Sequence, residues 1–270
     1  MKNKTWLKLS VLFFIFSILA CNITIGNNSY SSTSIQGSGS VVEETRQISN
    51  VSSVELAMTG TLHLTIGSAE SLQIKAEDNL MQYIQTVVSS GTLVIETQNG
   101  INLRPTRPID YYLTLSKLDS IAISSSGDIE TGDLVAGAFS ISISSSGDLN
   151  ISSLDCDSLR VQTSSSGNTD IGQLNTASIN VTISSSGNVT IQSGQVPAQD
   201  IRISSSGEYR ANAVQSNTAE INISSSGNAT VRVTDQISGR LSSSGNIYYI
   251  GSPAVNVSAT SSGKPIQVNP

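Results

Sequence analysis

The side chains with the clearest potential for chemistry follow a glycine that recurs along the second half of the chain. They are Asp128, Asp148, Asn168, Asn188, Glu208, Asn228, Asn246 and Lys264. If the recurring segments stack as successive β-coils, neighbouring members of this column lie about 4.8 Å apart. Asp128 and Asp148 would then suit glycoside hydrolysis, which uses two carboxylates about 5 to 9.5 Å apart, or Ca²⁺ binding.

A structural role explains the same column more completely. Asp and Asn are favoured in tight corners because their short side chains hydrogen-bond to nearby backbone groups. This explanation covers every Asp and Asn of the column, whereas catalysis accounts only for Asp128 and Asp148. The pattern also differs from the Gly-Gly-x-Gly-x-Asp repeat that binds calcium. We therefore predict corner residues here, with no catalytic residue and no metal site.

Other signs of enzymatic chemistry are weak. His63 is the only histidine and falls within a predicted strand, which is more typical of a surface or packed residue than of a base or ligand. No serine has a histidine beside it, and Gly-x-Ser-x-Gly does not occur in a strand-to-helix setting. Without a His or Cys cluster, a zinc site is not expected. The sequence predicts neither an enzyme nor a bound cofactor.

The recurring glycines belong to a repeat of Ser-Ser-Ser-Gly, with a weaker last copy, Thr-Ser-Ser-Gly. They are Gly127, Gly147, Gly167, Gly187, Gly207, Gly227, Gly245 and Gly263. The spacing is 20 residues five times and then 18 residues twice, and such a period indicates a stacked repeat array. We expect each repeat glycine to form a sharp corner at positive φ, which only glycine adopts at low cost. Gly194, outside the repeat phase, should then tolerate substitution.

Apolar residues occur at the same offsets before each run of serines. The segments are Ile121-Ala-Ile123, Ile141-Ser-Ile143, Val161-Gln-Thr163, Val181-Thr-Ile183, Ile201-Arg-Ile203 and Ile221-Asn-Ile223. Parallel stacking in register would bury each apolar side chain under its equivalent in the next coil. An antiparallel sandwich would not need this identity of offset. We predict an all-β fold, a single-stranded parallel β-helix with coils of about 20 residues.

The first 20 residues are typical of a bacterial lipoprotein signal peptide. Three lysines precede an apolar run, Leu9–Leu19, that is short for a membrane span. The run ends in Ser17-Ile-Leu-Ala-Cys21, which resembles a lipobox. Two or three acyl chains on Cys21 would anchor the protein stably to a membrane. The alternatives are an ordinary signal peptide with a chance Cys, or an N-terminal membrane anchor.

Composition limits the partners further. Charged residues make up 13% of the chain, and its net charge of −6 becomes −9 if the leader is removed. No Lys/Arg cluster is available to neutralise phosphates, so nucleic acid is not expected as a partner. Cys156 has no partner in the mature chain, and no intramolecular disulfide is predicted.

The predicted domain organisation has three parts. The signal peptide (1–20) is followed by a flexible Ser/Asn/Gly tether (21–41), because this stretch has no apolar period. A β-solenoid then spans 42–270. Its irregular coils occupy 42–118, its regular repeats 119–263, and its C-terminal cap 264–270, where Lys264 and two prolines would protect the open end.

Several of these features together resemble the putative auto-transporter adhesin, head GIN domain family. They are the lipobox, Gly37-Ser-Gly39, the strands from Val54 to Thr65, Ala76-Glu-Asp-Asn-Leu80 and the Ser-Ser-Ser-Gly-Asp/Asn repeats. The resemblance covers about residues 42–266. It implies a parallel β-helix-like fold, a location in the bacterial cell envelope and a role in adhesion, and it implies no catalytic residues.

The sequence therefore favours an exported, lipid-anchored binding module that acts in adhesion, with a glycan, peptidoglycan or a surface protein as its partner. A face of stacked serine hydroxyls could bind sugars, peptidoglycan or ice, although serine ladders also satisfy one another. A carbohydrate-active β-helix is the main alternative, and a self-assembling structural rod is the second.

Overall fold

The computed structural model describes residues 32–269, which are mostly β-strand. The predicted signal peptide and Cys21 lie outside the described residues. The first part contains β1 (Thr33–Gln36), β2 (Val41–Arg46), β3 (Ser53–Ala57), β4 (Thr61–Ile66), β5 (Ser71–Glu77), α1 (Asp78–Met81), β6 (Ile84–Ser89), β7 (Thr92–Thr97), β8 (Ile101–Arg104) and β9 (Asp110–Leu115). Among the described residues, no helix is long and apolar enough to cross a membrane.

The second part is a regular series of longer strands. They are β10 (Ser120–Ile123), β11 (Asp128–Ile143), β12 (Leu149–Thr163), β13 (Thr169–Ile183), β14 (Val189–Ile191), β15 (Gly194–Gln195), β16 (Ala198–Ile203), β17 (Glu208–Ile223), β18 (Asn228–Leu241), β19 (Ile247–Ile250), β20 (Ala254–Ala259) and β21 (Pro265–Gln267). Each of these strands pairs in parallel with its equivalent in the next coil.

The predicted register is confirmed. Ile121 pairs with Ile141, Ile141 with Val161, and the same column continues through Val181 and Ile201. These side chains are at most 1% exposed. Burial of one such side chain contributes about 1.5–3 kcal/mol, so the aliphatic columns hold the coils together. The parallel β-solenoid predicted from the repeat is therefore the observed fold.

Each regular coil has three paired segments separated by bends. Between β11 and β12, the ladder is interrupted at Gly132 and at Gly137. The third bend is the serine–glycine segment between strands, where the N–H of Ser144 donates to Ile123 O at 2.9 Å and that of Gly167 donates to Ser145 O at 3.0 Å. The backbone of the serine–glycine bend is thus bonded between coils.

The repeat glycines lie at these bends, but the predicted positive φ is wrong. None of the eight is among the described residues with positive φ. Glycine is required instead because successive bends approach closely. A Cβ on Gly187 would overlap the carbonyl oxygen of Gly167 and lie 2.5 Å from Thr163 Cγ2.

The predicted tolerance of Gly194 is also wrong. Gly194 has φ +130°, and its register partner is Leu174. A Cβ there would overlap Leu174 O and lie 2.7 Å from Leu174 C. The chain bulges at this point, and the fully buried Val196 supplies the apolar side chain two residues later.

The change from 20-residue to 18-residue coils occurs between β17 and β18. Ala211 pairs with Val231, but the next pair is Gln215 with Arg232, and the register is then Thr218 with Gln236. The shorter coil therefore loses residues at a bend, where no ladder is interrupted.

A polar group of side chains is buried inside the solenoid. The Tyr209 hydroxyl donates to Gln199 Oε1 at 2.7 Å, and Gln199 Nε2 donates to Ser216 Oγ. All three residues are at most 4% exposed, and burial raises the pKa of Tyr209 above its ordinary value. The small Ala229 occupies the register position beside Tyr209, which leaves room for the ring.

The irregular first part closes the N-terminal end. β3 and β4 pair in parallel with β10 and β11, and they pair on their other side with β7 and β9. Beyond these, β5, β2 and β6 are added by antiparallel pairing. The stack therefore begins with mixed strands and becomes strictly parallel from β10.

Two predicted boundaries differ from the structure. Part of the predicted tether is ordered, because Thr33–Gln36 forms β1 and pairs in parallel with β8. The predicted C-terminal cap is not a separate element, because Pro265–Gln267 forms β21 and extends the stack by pairing with β19. Both segments carry β-branched residues whose pairing partners are distant in sequence.

Close approach at the bends generates a stability prediction. Gly187→Ala should lower the free energy of unfolding by about 1–3 kcal/mol, because the new methyl group meets the backbone of the preceding coil. Gly194→Ala should cost at least as much, since backbone strain adds to the overlap. Denaturant unfolding of each variant measures the change.

Gly132→Ala is the matched control, because Gly132 has no positive φ and its Cβ would meet no atom within 4 Å. If Gly187→Ala unfolds at the same denaturant concentration as this control, the close-approach explanation is wrong.

Candidate functional site

The Asp/Asn column after the repeat glycines forms a hydrogen-bond ladder between coils. Asp128 Oδ1 accepts from the Asp148 N–H at 2.8 Å, and Asp148 Oδ1 accepts from the N–H and side-chain amide of Asn168 at 2.8 and 2.9 Å. Asn168 Oδ1 accepts from the same two groups of Asn188 at 3.2 and 2.9 Å. The bonds run to the next coil, not within the corner as predicted, and they give these residues a structural role.

Glu208 interrupts the ladder. Its N–H donates to Asn188 Oδ1 at 3.0 Å, but its carboxylate pairs with Arg210 instead of continuing the column. The ladder then resumes from Asn228 through Asn246 to the N–H of Lys264, each step at 3.0 Å. One amide or carboxylate oxygen per coil is thus sufficient to hold this edge.

His63 lies half-exposed on β4, between two carboxylates. Its Nε2 is 3.6 Å from Asp110 Oδ1, and its Nδ1 is 3.6 Å from Glu130 Oε2. The imidazole stacks on Tyr112 with ring centroids 5.0 Å apart. Within residues 32–269, no group of three or more His, Cys, Asp or Glu side chains could hold a metal ion.

The repeat serines form exposed columns with few side-chain bonds. In a typical repeat the first and third serines are exposed and the middle one is half-buried. Ser184 Oγ donates to Thr163 O at 3.4 Å, and Ser262 Oγ donates to Ser244 Oγ at 3.3 Å. Cys156 is free and buried, and burial raises the pKa of its thiol.

A groove follows the solenoid on the face of the third paired segment. It consists of two adjoining surface cavities of about 340 and 450 Å³, which share Ser178, Ile179 and Asp200. We call it the axial groove. Its lining residues are Ala138, Phe139, Ser140, Ser158, Leu159, Arg160, Ser178, Ile179, Asn180, Ala198, Gln199, Asp200, Thr218, Ala219, Glu220, Gln236 and Ser238.

Register arranges the polar side chains of the groove in single file. Ser140, Arg160, Asn180, Asp200 and Glu220 are successive partners in the ladder, so their spacing is about 4.8 Å. The groove therefore presents donors and acceptors in a row along the axis, beside small side chains that keep it open.

Asp200 is the most connected polar residue of the groove. Its Oδ2 accepts from Asn180 Nδ2 at 2.9 Å and pairs with Arg202 Nη1 at 2.8 Å. Its Oδ1 is buried and has no hydrogen-bond partner within the described chain. A small rotation of the carboxylate would present this acceptor to a ligand hydroxyl.

Two further surface cavities lie nearby. One of about 380 Å³ adjoins the groove and is lined by Arg202, Asn222 and Arg240 with three serine-column residues. The other, of about 390 Å³, lies on a different face and includes Glu130, Asn150 and Asp170. Because Asn150 separates the two acids by one register step on each side, they lie about 9.6 Å apart.

Sequence reasoning identified the column after the glycines but missed the axial groove. The signal was present, because Ser140, Arg160, Asn180 and Asp200 recur at a 20-residue spacing. Attention fell on the Ile and Gly positions, which are nearly identical from coil to coil, whereas the groove position changes residue type at every step.

The ladder generates a prediction. Asn168→Ala should lower the free energy of unfolding by about 1 kcal/mol or more, because bonds to both neighbouring coils are lost. Asp128→Asn with Asp148→Asn should leave stability close to that of the wild type, because the amide oxygens still accept from the next N–H. Denaturant unfolding of both variants compares them, and a double variant less stable than Asn168→Ala would contradict the ladder role.

The chain was compared with known proteins. No sequence among the curated proteins matches it. The family model described as putative auto-transporter adhesin, head GIN domain, matches residues 50–173 and 158–253. Because the match covers well over half of the chain, it shows the family.

Solved structures share the fold. A putative lipid binding protein from Parabacteroides distasonis is 24% identical with a TM-score of 0.81, covering 87% of this chain and 100% of that one. A putative adhesin from the same species is 17% identical with a TM-score of 0.81 and the same coverage. A putative adhesin from Parabacteroides merdae is 18% identical with a TM-score of 0.80, covering 87% of this chain and 99% of that one. With its matched repeats and this β-solenoid fold, the chain belongs to the putative auto-transporter adhesin, head GIN domain family.

Proposed function

We propose that this protein is an exported, lipid-anchored binding module of the bacterial cell envelope, and that it acts in adhesion by binding a polysaccharide chain in the axial groove. The single observation that carries the proposal is the row of donors and acceptors in the groove, with the unpartnered Asp200 Oδ1 in it. The family description as adhesin supports a role at the cell surface.

The chemistry of the groove suits a hydroxyl-rich ligand. Asn180 and Asp200 can donate to and accept from sugar hydroxyls, and Ser140 and Ser178 can do both. The buried Phe139, Leu159 and Ile179 form an apolar floor, against which the C–H face of a sugar ring can pack. A linear polymer would meet a new polar row about every 4.8 Å as it follows the axis.

Lipid binding inside the solenoid is less well supported. One similar structure is described as a putative lipid binding protein. However, the interior of this chain is filled by its aliphatic columns, and the cavities described above are open surface grooves. Lipid enters our proposal only as the acyl anchor on Cys21.

Catalysis has a weaker basis than binding. The acids Asp128 and Asp148 use their Oδ1 atoms in the ladder. Glu130 and Asp170 have a spacing close to that of inverting glycosidases, but Glu130 is exposed and lacks the apolar pocket that keeps a general acid protonated. The proposal is therefore a binding module without turnover.

Groove binding can be tested with the leaderless protein on a glycan array and by pulldown with peptidoglycan. We expect saturable binding that Ser178→Trp weakens by about tenfold or more, because the exposed Ser178 borders both cavities and the indole would fill the groove. Ser164→Trp, on the exposed serine column, is the control for surface substitution and should bind like the wild type.

Two outcomes would contradict the proposal. Loss of binding in Ser164→Trp but not in Ser178→Trp would assign the ligand to the serine columns. Soluble products released from pectin, alginate, mucin glycans or peptidoglycan, and abolished by Glu130→Gln with Asp170→Asn, would make the protein an enzyme.

Anchoring has its own test. Cys21→Ser should release the protein from the membrane fraction or stall its processing, because the thioether can no longer form. Fractionation followed by immunoblotting measures the distribution. A Cys21→Ser protein that matures and partitions like the wild type would show that the lipoprotein assignment is wrong.

A further inference from the structure

Glu77, the last residue of β5, is a buried carboxylate held by donors from two distant segments. The Gly39 N–H donates to Oε1 at 2.6 Å, and the Thr106 N–H donates to Oε2 at 2.8 Å. The Thr106 hydroxyl also donates to Oε1, and the Arg107 N–H donates to Oε2 at 3.3 Å. Glu77 is fully buried. No cation lies within ion-pair distance of it in the described chain.

The next two residues bind the same N-terminal segment, Gln36–Ser40. The Ser38 hydroxyl donates to Asp78, and the Ser38 N–H donates to Asn79 Oδ1 at 2.9 Å. In return, Asn79 Nδ2 donates to Gln36 O at 2.7 Å, and the Asp78 N–H donates to Ser40 O at 2.8 Å. Three consecutive side chains and one backbone amide thus read five consecutive residues.

The glycines of that segment fit this contact and no larger residue would. A Cβ on Gly37 would overlap the carboxylate of Glu77. Gly39 has φ +86°, which turns its N–H toward Glu77 and which other residues rarely adopt. The two motifs that the sequence offered separately, Gly37-Ser-Gly39 and Glu77-Asp-Asn79, are therefore the two halves of one contact.

This contact lies where the N-terminal segment joins the solenoid. β1 pairs only with β8 and is mostly exposed, so it has little apolar attachment of its own. The Gly37 N–H continues that pairing by donating to Arg104 O at 3.0 Å, just before Thr106 and Arg107. Both strands of this small sheet therefore lead directly to Glu77.

We propose that Glu77, Asp78 and Asn79 form a clasp for Gln36–Ser40, and that this clasp transfers a pull on the N-terminal segment to the body of the solenoid and opens in acid. A protein tethered at its N-terminus and bound to a surface elsewhere carries load through this point. The clasp is polar throughout, so its release depends on the charge of one carboxylate and leaves the aliphatic columns intact.

The acid response follows from the surroundings of Glu77. Burial alone would raise the pKa of Glu77, but the donors from Thr106, Gly39 and Arg107 lower it from 4.5 to about 2. Because the folded-state pKa lies below the unfolded one, the clasp has its full stability above about pH 4.5 and loses it as the pH falls toward 2.

Other charged groups nearby are few. Asp78 lies on α1 and accepts from Ser38, Lys75 lies two residues earlier on β5, and Arg104 and Arg107 belong to the segment that supplies Thr106. The segment Gln36–Ser40 carries no charge.

The test is hydrogen–deuterium exchange of the full-length chain in detergent. Glu77→Gln should speed exchange about tenfold or more in peptides covering 32–46 and 100–108, because an amide nitrogen would face the donors of Gly39 and Thr106. Exchange in 140–163 should not change. The wild type should show the same local increase at pH 3 relative to pH 5, after correction for intrinsic rates.

Two companion variants keep the test decisive. Asn79→Ala removes one part of the clasp without touching the buried charge, so it reports on the clasp even if Glu77→Gln fails to fold. Glu96→Gln, on β7, removes a half-exposed carboxylate as a control. Unchanged exchange in 32–46 for Asn79→Ala and Glu77→Gln, or an equal increase in 140–163, would overturn the proposal.

A pulling experiment addresses load directly. With the force applied at the N-terminus, Glu77→Gln should lower the force of the first unfolding step, whereas Glu96→Gln should leave it unchanged. If both variants yield at the wild-type force, the clasp bears no load.

Discussion

Close stacking of identical backbone bends determines most of this structure. At each serine–glycine bend, the glycine of one coil lies where the carbonyl oxygen of the glycine one coil earlier leaves no space for a Cβ. This contact fixes the distance between coils, and the register of every strand follows from it. The aliphatic columns and the Asp/Asn ladder are favourable only while that register is kept. A bend that admitted a side chain would separate the coils and weaken all three.

The regular part of the fold was predictable because parallel stacking makes spatial order and sequence order coincide. Ile121, Ile141 and Val161 are 20 residues apart and adjacent in space, so periodicity alone locates the core. The reason for the repeat glycines was not predictable. A positive φ and a close approach both select glycine, and only coordinates separate Gly187, which needs space, from Gly194, which also needs the conformation.

Contacts outside the period escaped prediction for the same physical reason. Tyr209, Gln199 and Ser216 satisfy one another inside the core at separations that no repeat predicts. Gly39 and Glu77 are 38 residues apart and meet in the irregular first part, where pairing is partly antiparallel and order in sequence says little about neighbours. The axial groove falls between these cases, since its position repeats but its residues do not. Specific recognition requires such variation, so a search for identical repeats finds the scaffold and not the surface that binds.

The buried group of Tyr209, Gln199 and Ser216 also bears on how such a rod could change length during evolution. Each coil contacts only its neighbours, so duplication of one 20-residue unit between β11 and β13 would lengthen the rod by about 4.8 Å and preserve every column. The same duplication between β16 and β17 would separate Gln199 from Tyr209 and leave a buried hydroxyl and amide without partners. Gain or loss of whole coils is therefore permitted in one half of the array and resisted in the other.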